Sequence, residues 1–315
     1  MSARDLSREI AEVKKRRGER GLEWLSFAID SLIQGWVDGQ QSRLKADSCL
    51  IRSVTFLEVF TREWIAILVD HGSPYVERAT ELTKTPGLRF DYELARAIQG
   101  RSLSLGELVG HSVPVNRLEQ ILSCFETLLD GGFARRLATV VDRWAVEIEQ
   151  NAPIPILHDY DKTCRDLERL FEIRHIICHE LPAHPVYELG QVPGLLASAK
   201  DFIVAGTELL KATLHGRYPL TTADMYKGST ERLEAAEAEL DKVFQTLLDR
   251  ATDDPQRVQL LKSSAIAWSA YKQAQCDLAA DEFRGGNHAG LLWLAEAFNS
   301  TQERIDSLQR LTQNE

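Results

Sequence analysis

Residues 172–180 read EIRHIICHE, so an arginine, two histidines and a cysteine fall within positions 174–179. The preceding residues, 161–171, carry leucine and phenylalanine at helical spacing, which places this cluster in the last turns of a predicted amphipathic helix. Pro182 follows closely, and proline disfavours a helical conformation for the residue before it. The helix is therefore predicted to stop before Pro182, with chemically versatile side chains at its end.

The rest of the chain also predicts helices. Only ten prolines and nineteen glycines, the residues that interrupt helices, occur among the 315 residues. No extended run alternates apolar with polar residues as a half-buried strand would. Gly106 and Gly110 indicate turns between short helices. The fold class is therefore all-α, and a lapse in periodicity at 217–222 divides the chain into domains of residues 1–215 and 216–315. We predict helices over 6–37 with a break at Gly18 or Gly21, 42–70, 116–130, 133–150, 193–214, 224–250, 255–283 and 288–311.

Composition and charge exclude several classes of protein. The net charge of -10 at pH 7 argues against a protein that coats duplex DNA, although a small basic site for single-stranded RNA is compatible with it. No segment approaches the ~20 apolar residues of a membrane span, and residues 1–21 lack the apolar core of a secretory signal. The five cysteines are scattered and odd in number, as expected for reduced thiols. We therefore expect a cytoplasmic protein that contacts neither membrane nor duplex DNA.

The cluster at 174–179 has three interpretations. In the first it is only a helix end, where the isoleucines face the core and the cations are surface groups that the helix dipole favours. In the second, His175 and His179 lie one turn apart and hold a metal together with Cys178 or His184. The pattern H-E-x-x-H is absent and no cysteine pair accompanies the histidines, so we expect no metal and no cofactor.

The third interpretation is RNA cleavage, and it rests on a resemblance. Residues 174–179, RHIICH, resemble the arginine, polar residue, three variable residues, histidine pattern of HEPN domains. A long early helix and a late helix that ends in the motif make residues 20–215 similar to such a domain. The resemblance implies a helical bundle with metal-independent endoribonuclease activity, of bacterial toxin or phage-defence type. It also implies an RNA substrate and a partner such as an antitoxin or a regulatory protein.

The residue types fit that chemistry. Histidine exchanges protons near neutral pH, so His179 is the predicted general acid or base, and the guanidinium of Arg174 is predicted to hold the scissile phosphate. His175 lies on the same face as His179 and is predicted to orient its ring or to donate to phosphate. Arg174 and His179 diverge by about 140° on a regular helix. The resemblance implies that two chains resolve this by forming a composite cleft, so we expect a homodimer.

The C-terminal third predicts a smaller bundle of three antiparallel helices. Residues 236–248 (AEAELDKVFQTLL), Trp268 and Tyr271, Cys276 and residues 282–286 (EFRGG) resemble the LprI-like family, some members of which are linked with lysozyme inhibition. Members usually carry bridging cysteines, whereas Cys276 has no second cysteine within 216–315. We expect Trp268 and Tyr271 to be core residues and the bundle to contact or sense a partner. The alternative to a ribonuclease is a non-catalytic interaction protein that binds a protein partner through this bundle.

Overall fold

The computed structural model describes residues 6–18, 22–84, 92–100, 102–180, 182–286 and 288–313. Within these ranges the fold is all-α, and the only strand-like pairing is an isolated bridge between Val141 and Pro155. The chain forms two compact units, Met1–Gly216 and Arg217–Glu315. None of the helices in the described ranges is both long and apolar enough to cross a membrane.

The first unit is built around one long helix. Its helices are α1 Leu6–Arg17, α2 Leu22–Asp38, α3 Arg43–Asp70, α4 Tyr75–Leu82, α5 Tyr92–Gln99, α6 Leu105–Ser112, α7 Leu118–Leu128, α8 Phe133–Leu137, α9 Arg143–Glu147, α10 Tyr160–His179 and α11 Val192–His215, with a 3-10 turn at Leu189–Gln191. The break predicted near Gly18 or Gly21 is confirmed, because α1 ends at Arg17 and α2 begins at Leu22. Ser42 caps α3 by accepting a hydrogen bond from the Lys45 backbone N–H at 3.3 Å.

Aromatic side chains form the centre of this unit. Phe60 of α3 is fully buried and meets Phe125 of α7 and Phe202 of α11 edge to face, with ring centroids 6.0 and 6.1 Å apart. Phe125 in turn contacts Phe133 of α8, at a centroid distance of 4.8 Å. The packing surface for α10 is thus a core shared by α3, α7 and α11, and the position of α10 is fixed by burial.

Two glycines let α6 approach α3 very closely. A Cβ added at Gly106 would lie 2.1 Å from the backbone oxygen of Ala66, and one at Gly110 would lie 2.6 Å from that of Arg62. The Gly106 N–H donates to Oδ1 of Asp70 at 2.8 Å, which holds the first turn of α6 against the end of α3. The prediction of turns at Gly106 and Gly110 is therefore wrong. Both lie inside one helix, where the absence of a side chain permits backbone contact.

The helix predicted over residues 133–150 is also wrong, because the segment forms the two short helices α8 and α9. Asp142 begins α9 by accepting a hydrogen bond from the Ala145 N–H at 3.2 Å. Just before it, the Val140 carbonyl accepts from the Ile156 N–H at 2.9 Å. The cap within the segment and the bond to Ile156 beyond it replace hydrogen bonds of a continuous helix.

In the described residues of the second unit, three long helices are found, as expected: α12 Thr222–Arg250, α13 Pro255–Asp281 and α14 Ala289–Gln313. Asp254 caps α13 through the Arg257 N–H at 3.0 Å, and Pro255 occupies its first turn. The core contains α12, α13 and α14 residues including Leu240, Leu247, Leu261, Ile305 and Leu308, with Trp268 packed at its edge. Tyr271 is 58 % exposed, so its expected place in the core is wrong.

Candidate functional site

The helix that carries the predicted site residues is anchored at its start and along one face. Asp159 caps α10 by accepting from the Lys162 N–H at 2.8 Å. Leu167, Leu170 and Ile173 are completely buried on its inner face, against the core described above. The helix remains regular to His179 and ends before Pro182, as predicted. Its last turns therefore present polar side chains from a fixed scaffold.

The three predicted site residues border one groove of about 800 Å³. Residues of α10 form one wall, and residues 116–120 at the start of α7 form the other. Arg174 and His179, which diverge on the helix, both contribute to the lining. The full lining is Asn116, Arg117, Leu118, Glu119, Gln120, Glu168, Phe171, Glu172, Arg174, His175 and His179.

Arg174 is held by a carboxylate from a neighbouring helix. Its Nη2 lies 3.8 Å from Oε1 of Glu58 on α3, and the two side chains are 32 % and 15 % exposed. This separation is longer than a hydrogen bond, so the guanidinium is attracted to Glu58 while its N–H groups remain suited to an anion such as phosphate. Glu58 acts here as a positioning group for the cation.

The two histidines are accessible and adjacent. Their ring centroids lie 5.1 Å apart at an interplanar angle of 47°, and His175 is 63 % exposed at its side chain. Nε2 of His175 lies 3.7 Å from Oε1 of Glu180, an ion pair that forms when the imidazole is protonated. His179 is exposed at the helix end. Two proton-exchanging rings thus stand side by side at the groove.

Sequence reasoning did not identify Arg117, which adds a second guanidinium to the groove. Arg117 occupies the position before α7, makes no side-chain cap there, and is exposed. Three glutamates, Glu119, Glu168 and Glu172, share the lining, and Glu172 is paired with Arg169 at 2.5 Å. Apart from its histidines, the groove therefore combines two arginines that suit an anionic ligand with three glutamates, so its cations are outnumbered by carboxylates.

The segment that leaves the site is bound back to the scaffold. Tyr187 is buried, its hydroxyl donates to Oδ1 of Asp47, and Nη1 of Arg43 donates to its carbonyl at 2.5 Å. Burial, followed by the hydrogen bond to Asp47, raises the pKa of Tyr187. Arg169 on α10 donates to the carbonyl of Val186. The chain just beyond the histidines is consequently tied both to α3 and to α10.

The metal interpretation requires at least one further ligand beside His175 and His179. In the described part of the chain, no group of three or more His, Cys, Asp or Glu side chains is arranged to hold a metal ion. Cys178 and His184, the residues considered as partners of the two histidines, are both exposed. What the groove offers instead is a set of acid–base and cationic side chains without a coordination cage.

Cys178 is expected to be the fastest-reacting thiol of the native protein. It is exposed beside His179, whereas Cys49, Cys124 and Cys276 are buried, and burial raises the pKa of Cys124 to about 11. At pH 8 only about one Cys124 side chain in a thousand would be a thiolate, the reactive form. Iodoacetamide labelling followed by peptide mass spectrometry should modify Cys178 at least about a hundredfold faster than Cys124. Equal rates for the two would contradict the burial described, and Cys178→Ser should remove the fast phase.

Comparison with known proteins yields one family, and it concerns the second unit. The model of the family described as "Lysozyme inhibitor LprI" matches residues 217–308, so this part of the chain is similar to LprI proteins. No curated protein and no solved structure matches the chain. The similarity agrees with the resemblance predicted for the C-terminal third, and it does not extend to the unit that contains the groove.

Proposed function

We propose that the chain is a metal-independent endoribonuclease of the HEPN type, acting in the cytoplasm on single-stranded RNA. The observation that carries the proposal is the shared groove, which Arg174, His175 and His179 all border. Burial of His179 against apolar side chains would argue against catalysis, and His179 is exposed. The arginine–polar–x3–histidine pattern at 174–179 supplies the reaction class.

The reaction needs only proton transfers and charge stabilisation. One imidazole removes the proton of a ribose 2′-OH, whose oxygen attacks the adjacent phosphorus. The bond from phosphorus to the 5′-oxygen breaks, and a protonated imidazole donates a proton to that oxygen. The products are a 2′,3′-cyclic phosphate and a 5′-hydroxyl. Neither a metal nor a cofactor is required.

Each site residue has a role in that scheme. His179 is the general acid or base, and His175, 5.1 Å away between ring centroids, donates to phosphate or orients the ring of His179. Arg174 holds the scissile phosphate and stabilises the additional charge that develops on it. Arg117, on the opposite wall, is suited to a neighbouring phosphate of the same strand.

The active form is proposed to be a homodimer. On the regular α10, Arg174 and His179 leave the helix about 140° apart, so one chain aligns them poorly on a single phosphate. A second α10 across a two-fold axis would supply the missing member, and each cleft would then contain residues of both chains. An antitoxin or regulatory protein that covers this helix end would block both substrate access and pairing.

The test is RNA cleavage in the presence of EDTA. Purified full-length protein, incubated with a set of single-stranded RNAs, should produce fragments that end in a cyclic phosphate. The Arg174→Ala, His179→Ala double variant should produce none, while its circular dichroism spectrum stays unchanged. Cleavage by the folded double variant at the wild-type rate would rule out the assignment, as would the absence of any cleavage by the wild type.

A second function is favoured by the family match. The name of the matching family refers to inhibition of lysozyme, that is, to action on another protein. On this view residues 217–308 bind a protein partner and the cluster at 174–179 is structural. Titration calorimetry of the full chain with a lysozyme tests the specific form of this alternative. Heat of binding together with absence of RNA cleavage would favour it over the ribonuclease.

A further inference from the structure

The outer face of α13 carries a continuous seam of apolar and small side chains. Its members follow one another at intervals of four, three, four, three and four residues, which keeps them within one narrow arc of the helix. All six are exposed: Leu260, Ser264, Ala267, Tyr271, Ala274 and Leu278. Leu260, Tyr271 and Leu278 are 63 %, 58 % and 67 % exposed. This spacing is the one with which helices pair as a coiled coil.

The seam does not belong to the core of its own unit. Leu261 and Cys276, which are buried, and Trp268, at the edge of the core, mark the inner side of α13. At about 100° per residue, Leu261 lies about 100° away from Leu260 around the helix axis. The helix therefore has two apolar faces, of which one is used inside the unit and the other is exposed to solvent.

We propose that this seam binds the same seam of a second copy of the chain, in antiparallel orientation. The residues are self-complementary in that arrangement: Leu260 meets Leu278 of the second copy, Ser264 meets Ala274, and Ala267 meets Tyr271. The outer layers then combine two leucines, the central layers combine Tyr271 with the small Ala267, and the layers between them contain two small residues, Ser264 and Ala274. Two-fold symmetry repeats each contact.

Charge favours the antiparallel orientation over the parallel one. Arg257 stands one heptad before Ser264, and Asp281 stands one heptad after Ala274, so they form the next layer at each end. The antiparallel pair places Arg257 against Asp281 of the second copy at both ends. A parallel pair would place Arg257 on Arg257, Asp281 on Asp281 and Tyr271 on Tyr271. Asp281 also accepts a hydrogen bond from Nε of Arg284 in its own chain, at 2.6 Å, which reduces the repulsion at that end. Like charges at the Arg257 end and a crowded middle would still oppose the parallel arrangement.

Disulfide trapping of mixed variants tests this register directly. One chain carries Ser264→Cys and the other, distinguished by an affinity tag, carries Ala274→Cys, both with Cys178→Ser to remove the exposed thiol. Both substitutions are small, and the hydrogen bond that Ser264 accepts from Arg304 lies at the surface, so the fold should be preserved. In the proposed register position 264 of one chain faces position 274 of the other, whereas residues 264 of the two copies are about 15 Å apart along the axis. Mild oxidation should therefore cross-link the mixture and leave each variant alone uncross-linked.

A matched control uses Ile266, which is 74 % exposed on the same helix but lies outside the seam. Ile266→Cys mixed with either partner should give no cross-link. Adding Leu278→Lys to both trapped chains should lower the yield about tenfold or more, because an apolar layer is replaced by a charge. Absence of the cross-link, equal trapping of either variant with itself, or equal trapping through Ile266→Cys would each overturn the proposal. The readout concerns α13 alone, so it does not depend on whether the chain cleaves RNA.

Discussion

His179→Ala is expected to lower the rate of RNA cleavage by about a hundredfold to ten-thousandfold, the contribution usual for a general acid or base. The loss should appear in kcat, because the imidazole transfers protons in the transition state and contributes little to binding the RNA. The side chain is exposed, so the melting temperature should change by no more than about 1 °C. Single-turnover cleavage of a fluorescent RNA in EDTA measures the rate.

The matched control for His179→Ala is His184→Ala. This histidine is also exposed, lies five residues further along the chain, and does not line the groove. It should retain the full rate of cleavage. Arg174→Lys offers a second comparison, since it keeps the charge near Glu58 but loses the planar fork that suits phosphate. An equal loss of rate in His184→Ala and His179→Ala would show that the effect does not come from the groove.

Gly106→Ala is expected to destabilise the first unit by about 2–3 kcal/mol, as overpacking of a close contact does. The new methyl group would lie 2.1 Å from the Ala66 oxygen and 2.8 Å from its Cα, so backbone must move to admit it. Asp70 binds the Gly106 N–H, which prevents α6 from simply sliding away. Scanning calorimetry of the full chain should show the transition of this unit about 4–12 °C lower, while that of residues 217–315 stays in place.

Gly35→Ala separates this packing effect from the ordinary effect of glycine in a helix. Gly35 lies within α2, and a Cβ added there would meet nothing within 4 Å. The alanine should therefore raise stability by about 0.5–1 kcal/mol, through the greater helix propensity alone. If Gly106→Ala also stabilised the protein, the close approach of α6 to α3 would be disproved.

Among the helices that sequence predicted well, two bury apolar stripes along long packing surfaces. These two are α3 and α10: the structure shows Ser42 and Asp159 capping their starts, and α10 ends before Pro182 as predicted. The prediction of one helix over residues 133–150 failed because Val140 and Asp142 have backbone and capping interactions that hydrophobic periodicity does not reveal. At Gly106 the error was the opposite one: a turn was predicted where the structure has the interior of a helix. Glycine permits a turn and a close helix contact equally well.

The residues of the candidate site also divide into those that sequence could identify and those that it could not. Arg174, His175 and His179 could be found because they are close in sequence and belong to a recognisable pattern. Arg117 could not, because only the packing of α7 against α10 brings it near the motif. Tyr271 was misplaced for a related reason. An aromatic residue on a helix with two apolar faces is assigned to the core by composition, and the assignment of each face requires the neighbours.

Tyr187, buried and bonded to Asp47 and Arg43, has a consequence for the thermodynamics of recognition. Because it fastens the chain just beyond His179, the helix end is already ordered before any ligand arrives. Side chains that are fixed in advance lose little conformational entropy when a ligand binds. The entropy lost on association would then fall mainly on a flexible single strand of RNA, which has to adopt the shape that the groove imposes.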